Sequence, residues 1–157
     1  MKLEQKIGVI GNGFVGGAVQ FGFSHKVGCE AEVRVYDKNP SKSTHTLEET
    51  VNESDFIFLS VPTPANKNGS INLDILRQAL EDINQVHEGK DNAILIRSTV
   101  VPGTTWSLQC EYPQLNILFN PEFLTEKSAN FDFINQSRFV IGNSGKQISW
   151  AKSEDFV

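Results

Sequence analysis

Ile7-Gly8-Val9-Ile10-Gly11-Asn12-Gly13-Phe14-Val15-Gly16 decides the fold. A short apolar run gives way to glycines spaced G-x-G-x-x-G, and an apolar stretch compatible with a helix, Phe14–Phe23, follows at once. The glycine pattern alone is weak evidence. Set between a strand and a helix it describes a cradle for the pyrophosphate of a dinucleotide. Gly11 permits the tight turn out of the strand, Gly13 lets backbone approach the phosphates, and Gly16 lets helix and strand pack closely. The first N–H groups of a helix have no partner inside it, so they are free to face an anion. Gly11, Asn12, Gly13, Phe14, Val15 and Gly16 are therefore the first candidate cofactor residues.

Working outward, Val33-Arg34-Val35-Tyr36-Asp37 ends in an acid about 20 residues beyond the glycine loop, at the close of a second strand. A carboxylate there accepts hydrogen bonds from the adenosine ribose and repels a 2′-phosphate, so NAD is expected over NADP. Lys38 and Lys42 lie close enough in sequence to soften that preference.

The same alternation continues along the chain. Near-continuous apolar runs mark strands at Ile7–Ile10, Val33–Tyr36, Phe56–Val61, Ala93–Ile96, Ile117–Phe119 and Phe139–Ile141. Runs of this kind fit strands covered on both faces. Between them, Leu73, Leu76, Leu80 and Ile83 recur at helical spacing, with Asn72 as an N-cap and Asp74 in the first turn. A further helix is expected over Thr104–Cys110, after Pro102-Gly103. The order strand, helix, strand predicts an α/β fold: a Rossmann-like, doubly wound, mostly parallel six-stranded sheet with helices on both faces. The expected strand order is 3-2-1-4-5-6. Residues 1–157 read as one domain. The last stretch, Asn143–Val157, carries Ile148, Trp150, Ala151 and Phe156 and looks like the opening of another helix.

Composition narrows the function classes. The 157 residues are 39% hydrophobic and 21% charged, which suits a packed core. A net charge of −5 opposes a nucleic-acid partner. No apolar run approaches a membrane span, so no membrane is expected and the cytoplasm is the expected location. The two cysteines, Cys29 and Cys110, lack metal-type spacing and read as reduced thiols. His25, His45 and His87 read as surface or loop residues, and no metal site is expected. Gly145-Lys146 is not a phosphate-binding P-loop, because the required earlier glycine position holds Val140.

Three further segments stand at expected C-terminal strand ends, where open α/β sheets place ligands. They are Ser60-Val61-Pro62-Thr63-Pro64, Arg97-Ser98-Thr99-Val100-Val101-Pro102-Gly103-Thr104-Thr105 and Asn120-Pro121-Glu122-Phe123-Leu124-Thr125-Glu126. With the glycine loop, and with Phe131-Asp132-Phe133 and Arg138-Phe139-Val140-Ile141-Gly142, they resemble the UDP-glucose and GDP-mannose dehydrogenase family over nearly the whole chain. Asn120 to Leu124 is the most specific piece. The resemblance implies oxidation of a sugar C6 alcohol to a carboxylate with two NAD per turnover and a cysteine that captures the intermediate aldehyde. It further implies that the glycine loop and Asp37 hold the adenosine diphosphate, with Lys42 nearby. Val61, Pro62, Thr63 and Pro64 line the dinucleotide cleft, and Ser98, Thr99 and Val100 sit near the nicotinamide. Thr99 is a candidate to position a catalytic water and Glu122 matches the acid/base glutamate. Phe123, Leu124 and Thr125 meet the sugar nucleotide, UDP-glucose first among them, and Glu126 approaches the cofactor.

The family's central helix and second α/β domain, with the nucleophilic cysteine, have no counterpart in these residues. Cys29 and Cys110 fall outside the family's cysteine motif. The stretch from Asp37 to Phe56 is shorter than usual, and Lys127 stands where many members have glycine. The chain alone is therefore expected to bind NAD with little or no turnover, as a monomer or weak oligomer. Two alternatives stay open at this stage: a non-catalytic NAD-binding or partner-binding module, and a related 6-phosphogluconate or 3-hydroxy acid dehydrogenase domain.

Overall fold

The computed structural model describes residues 5–143 and 145. The expected helix within Asn143–Val157 and Lys146 of the dismissed P-loop lie outside the described residues. Strands β1 (Lys6–Ile10), β2 (Glu32–Tyr36), β3 (Phe56–Leu59), β4 (Ala93–Ile96), β5 (Ile117–Phe119) and β6 (Gly142–Asn143) form one sheet, parallel except for β6. Helices α1 (Phe14–Gly22), α2 (Leu47–Asn52), α3 (Asp74–Val86), α4 (Thr104–Glu111) and α5 (Ala129–Ile134) cover it.

Alternate residues of each strand point to opposite faces, and here both faces are buried. Ile7 and Val9 of β1, Phe58 of β3, Ala93 and Leu95 of β4 and Leu118 of β5 pack on one side with α1 and α5. Ile10, Ile57, Leu59, Ile94, Ile96 and Ile117 pack on the other with α2, α3 and α4. This double burial explains why the strands read as unbroken apolar runs. On the first face α1 and α5 meet where Gly22 has no side chain: a Cβ there would strike the Phe133 ring. Phe133 packs edge-on and Phe58 tilted against Phe23, at centroid distances of 5.9 and 5.6 Å.

Three expectations need correction. The strand order is β2-β1-β3-β4-β5-β6, not 3-2-1-4-5-6. Between Tyr36 and Phe56 the chain forms only a 3-10 turn, Pro40–Lys42, and the short α2, so no strand is laid outside β2. That edge is closed by a loop instead. The Thr44 and His45 N–H groups donate to the Val35 carbonyl at 2.9 and 3.1 Å, and the Val35 N–H donates to Thr44 Oγ1 at 3.1 Å. Second, the sixth strand is Gly142–Asn143 rather than Phe139–Ile141. Asn120 Nδ2 donates to the Val140 carbonyl at 2.8 Å, drawing that segment to a side chain, and pairing with β5 starts only at Phe119↔Gly142. Third, Leu73 occupies the cap position of α3, while Asn72 Oδ1 accepts the Asp74 N–H from one residue further out, at 2.8 Å.

Helix α2 is a single short stretch held at its start by a reciprocal capping box. Thr46 Oγ1 accepts the Glu49 N–H at 3.2 Å, and Glu49 Oε2 accepts the Thr46 N–H at 2.8 Å. Thr46→Ala is expected to lower stability by about 1 kcal/mol, the usual worth of a cap, measured by urea unfolding. An unchanged midpoint would show that packing of Val51 alone holds the helix.

Candidate functional site

Strands β2 and β3 flank β1 on opposite sides: the chain crosses from β1 to β2 through α1 and returns from β2 past β1 to β3 through α2. A crevice therefore opens at the C-terminal end of β1, the position where open α/β sheets bind ligands. Gly11 sits there at φ +89°, a conformation that side chains rarely adopt, with the Ser60 carbonyl where a Cβ would go. At Gly16 a Cβ would overlap the Gly11 carbonyl oxygen, so α1 leaves the turn in direct backbone contact with it. Gly13 caps α1 and is different: a Cβ there would meet nothing within 4 Å. The turn is thus closed by backbone at Gly11 and Gly16 and open at Gly13, beside the helix's unpaired amides. That is the shape a phosphate cradle requires.

Asp37 is built into the same turn. Its Oδ2 accepts the Asn12 N–H at 2.7 Å and its Oδ1 accepts the Asn39 N–H at 2.8 Å, while Ser43 Oγ accepts the Asp37 N–H at 2.8 Å. Each carboxylate oxygen retains accepting capacity for a ribose hydroxyl. The Asn12 side chain donates to the Lys42 carbonyl at 2.9 Å, tying the loop after β2 to the glycine turn. Gly11, Gly13, Asp37, Lys38 and Lys42 line one side of a cleft of about 290 Å³. Ser60, Val61 and Pro62 line another side, and Ile75, Ala79 and Asp82 bring a face of α3 to it. Tyr36 and Leu47 complete an apolar wall.

The expected nicotinamide-side residues are drawn together by hydrogen bonds. Ser98 Oγ donates to the Val61 carbonyl at 2.6 Å, and Thr63 Oγ1 donates to the Thr99 carbonyl at 2.8 Å. Pro64 ends this loop, its carbonyl accepting the Asn72 N–H at 2.8 Å. Val100 packs at the edge of the core under α4. After β5, Glu122 is half-buried, and its Oε2 accepts the Leu124 N–H at 3.4 Å. Phe123 is exposed, with the Arg138 guanidinium 5.8 Å from its ring centre. Thr125 has both its N–H and its hydroxyl on Asp132 Oδ2, at 2.9 and 2.8 Å, so that N–H is not offered outward. Glu126 is exposed and lines a separate cleft with Phe14 and Gly17 at the start of α1.

Asp132 has its pKa held below the ordinary carboxylate range by the Thr125 N–H, then by the Thr125 and Ser128 hydroxyls. Glu49 is lowered likewise by the Thr46 N–H and hydroxyl. A carboxylate whose folded pKa is depressed stabilises the fold above its unfolded value and loses that contribution as pH falls through the folded one. The thermal midpoint is therefore expected to fall below about pH 4. The Thr125→Ala variant should show a shallower fall. Parallel curves for the two proteins in scanning calorimetry would contradict this.

Two features were not foreseen from sequence. The contribution of α3 to the cleft comes from a second face of that helix, Ile75, Ala79 and Asp82, beside the core face that carried the periodicity. Arg97 follows the buried strand β4 and is itself 2% exposed, with its guanidinium 6.0 and 5.5 Å from the Phe58 and Phe133 ring centres. Burial pushes its pKa down to about 10, and the charge of Glu122 works the other way. Among the described residues, no helix is long and apolar enough to cross a membrane.

Comparison with known proteins agrees with this geometry. An uncharacterized protein of Methanocaldococcus jannaschii is 32% identical over 165 residues, covering 87% of this chain and 18% of its own length. The UDP-glucose 6-dehydrogenase of Rickettsia felis is 29% identical over 169 residues, covering 88% of this chain and 38% of its own. The chain thus spans less than half the length of the relatives it matches. Among solved structures, a UDP-glucose dehydrogenase from Pyrobaculum islandicum superposes with a TM-score of 0.77 at 26% identity, over 93% of this chain and 42% of the other. A family model, described as UDP-glucose/GDP-mannose dehydrogenase family, NAD binding domain, matches residues 39–155, roughly three quarters of the sequence. The chain belongs to the UDP-glucose/GDP-mannose dehydrogenase family, and the part of that family it matches is the NAD binding domain.

Proposed function

We propose that this chain is the cofactor-holding part of a nucleotide-sugar dehydrogenase, with UDP-glucose the first candidate substrate, and that residues 1–157 act as one NAD-binding domain. The observation that carries the reading is the single opening at Gly13, flanked by unpaired helix amides and by an Asp37 carboxylate already anchored on the Asn12 N–H at 2.7 Å. The amides of Gly13, Phe14 and Val15 would hold the pyrophosphate of NAD. The Asp37 carboxylate would accept hydrogen bonds from the ribose hydroxyls, with Lys42 alongside. NAD, when bound, supplies the acceptor for the hydride leaving the sugar C6.

The chain's own residues then orient and move protons. The loop Val61 to Pro64 and the loop Ser98 to Val100, joined by the Ser98 and Thr63 hydroxyls, fix the nicotinamide side. Thr99 Oγ1 holds a water, and the Glu122 carboxylate accepts or relays the proton of the C6 hydroxyl. Phe123, Leu124 and Thr125 face the sugar nucleotide, and Glu126, beside Phe14 and Gly17 at the start of α1, approaches the cofactor from its own cleft. A capturing cysteine in the family's motif is not among these residues, so the chain alone binds NAD and turns over little or no sugar nucleotide.

Calorimetric titration tests this. Uptake of NAD at or below about 1 mM is expected, with NADP weaker by about tenfold or more. The Asp37→Ala variant should lose that discrimination. Absence of heat on a well-folded sample at millimolar NAD would overturn the assignment.

A further inference from the structure

We propose that Asp82 reads the base of the dinucleotide, accepting a hydrogen bond from the exocyclic amine of adenine. The inference rests on NAD occupying the cleft and adds a specificity residue to it.

Helix α3 presents Ile75, Ala79 and Asp82 to the cleft, at spacings of four and three residues that fall on one helical face. The adjacent face, Leu76, Leu80 and Ile83, is locked in the core, which holds the cleft-lining face in place. Tyr36, Leu47, Ile75 and Ala79 offer an apolar slot suited to a planar heteroaromatic ring. The phosphates and ribose are accounted for at the other side of the cleft by the glycine turn and Asp37.

The slot's polar groups are unevenly matched to an adenine. Lys38 and Lys42 only donate, which suits ring nitrogens but not an amine. The amine needs an acceptor, and on the α3 wall that acceptor is Asp82. Its Oδ1 is held by Gln78 Nε2 at 2.7 Å, which orients the carboxylate and leaves Oδ2 for a ligand. A carboxylate in a cleft for an anionic dinucleotide opposes binding near the phosphates. At the base end it discriminates instead: it attracts an amine at purine C6 and repels a carbonyl there.

The test compares NAD with nicotinamide hypoxanthine dinucleotide, which carries a C6 carbonyl and an N1–H where NAD has the C6 amine and an unprotonated N1. Wild-type protein is expected to bind NAD roughly 10- to 100-fold more tightly, the range for a hydrogen bond to a charged group against an unpaired one. In Asp82→Leu, NAD affinity should fall by a similar factor and the ratio should approach one. In Asp82→Asn, whose amide can donate to the carbonyl, the ratio should narrow with the fold unchanged by circular dichroism. Equal binding of both dinucleotides by the wild type, or a preference that survives both substitutions, would overturn the proposal. No uptake of either dinucleotide by folded wild type would instead overturn the NAD reading, and this inference with it.

Discussion

Gly13→Ala is expected to fold as the wild type does and to bind NAD about 30-fold or more weakly, a loss of about 2 kcal/mol. The two halves of that result have separate causes. Gly13 has φ −81° and ψ −158°, a conformation open to any residue, and an added Cβ meets no atom within 4 Å. Alanine is a poorer helix cap than glycine, yet it also restricts the unfolded chain, and these terms oppose each other at a level below about 1 kcal/mol. The thermal midpoint should therefore move by only a few degrees. Binding is different, because the space the methyl enters is where phosphate oxygens must come to reach the helix amides. A displacement of about 1 Å lengthens each charge-assisted bond and weakens all of them together.

Gly16→Ala supplies the contrast. Its Cβ would overlap the Gly11 carbonyl oxygen, which is backbone and cannot swing aside, so destabilisation of about 1–3 kcal/mol is expected before any ligand is added. If Gly13→Ala bound NAD as tightly as the wild type in calorimetry, the phosphates would not rest at this turn.

The readable parts of the fold and site were those encoded within a few consecutive residues. The glycine turn and Asp37 sit in contiguous stretches whose backbone demands are local, and the Asn12 N–H on Asp37 Oδ2 joins them in the structure. The apolar runs of β1, β3 and β4 announced themselves because both faces of the sheet are covered. Strand order was harder, since it depends on what the chain omits: nineteen residues without a strand between Tyr36 and Phe56 left β2 at an edge. Helices α2 and α5 are too short to show periodicity, although Thr46-Leu47-Glu48-Glu49 carries a capping-box pattern that could have located the first. Asp82 could not be found from periodicity, because its face of α3 is defined only by the cleft it meets.

The family model and the phosphate cradle involve different residues, although the matched relative and structure also reach into the first 38 residues. The family model begins at residue 39, beyond both the glycine turn and Asp37. The cradle's backbone geometry lies at residues that the family model does not include. That geometry bears on what the cleft holds, which a shared fold by itself would not specify.

Asn120→Leu is expected to destabilise the chain by about 3 kcal/mol or more, through the charge it abandons rather than through Asn120 itself. Arg97 Nη1 donates to Asn120 Oδ1, while Arg97 Nε and Nη2 have no partner among the described residues. The guanidinium lies against two phenyl rings, an arrangement that helps a desolvated cation, but Asn120 is the acceptor it reaches. Because burial lowers its folded pKa to about 10, the folded chain holds this proton less tightly than the unfolded chain does. The cost is fully present below about pH 10 and fades only as pH rises above it, amounting to about 3 kcal/mol. Arg97→Met, which keeps bulk and removes the charge, should accordingly be neutral or stabilising. In the Arg97→Met background, Asn120→Leu should cost far less than it does in the wild type. NAD uptake by Arg97→Met should also be unchanged, since Arg97 is not among the residues lining the cleft. Urea unfolding of the four proteins closes the cycle. An Asn120→Leu effect of the same size in both backgrounds would show that the buried charge is not what Asn120 supports.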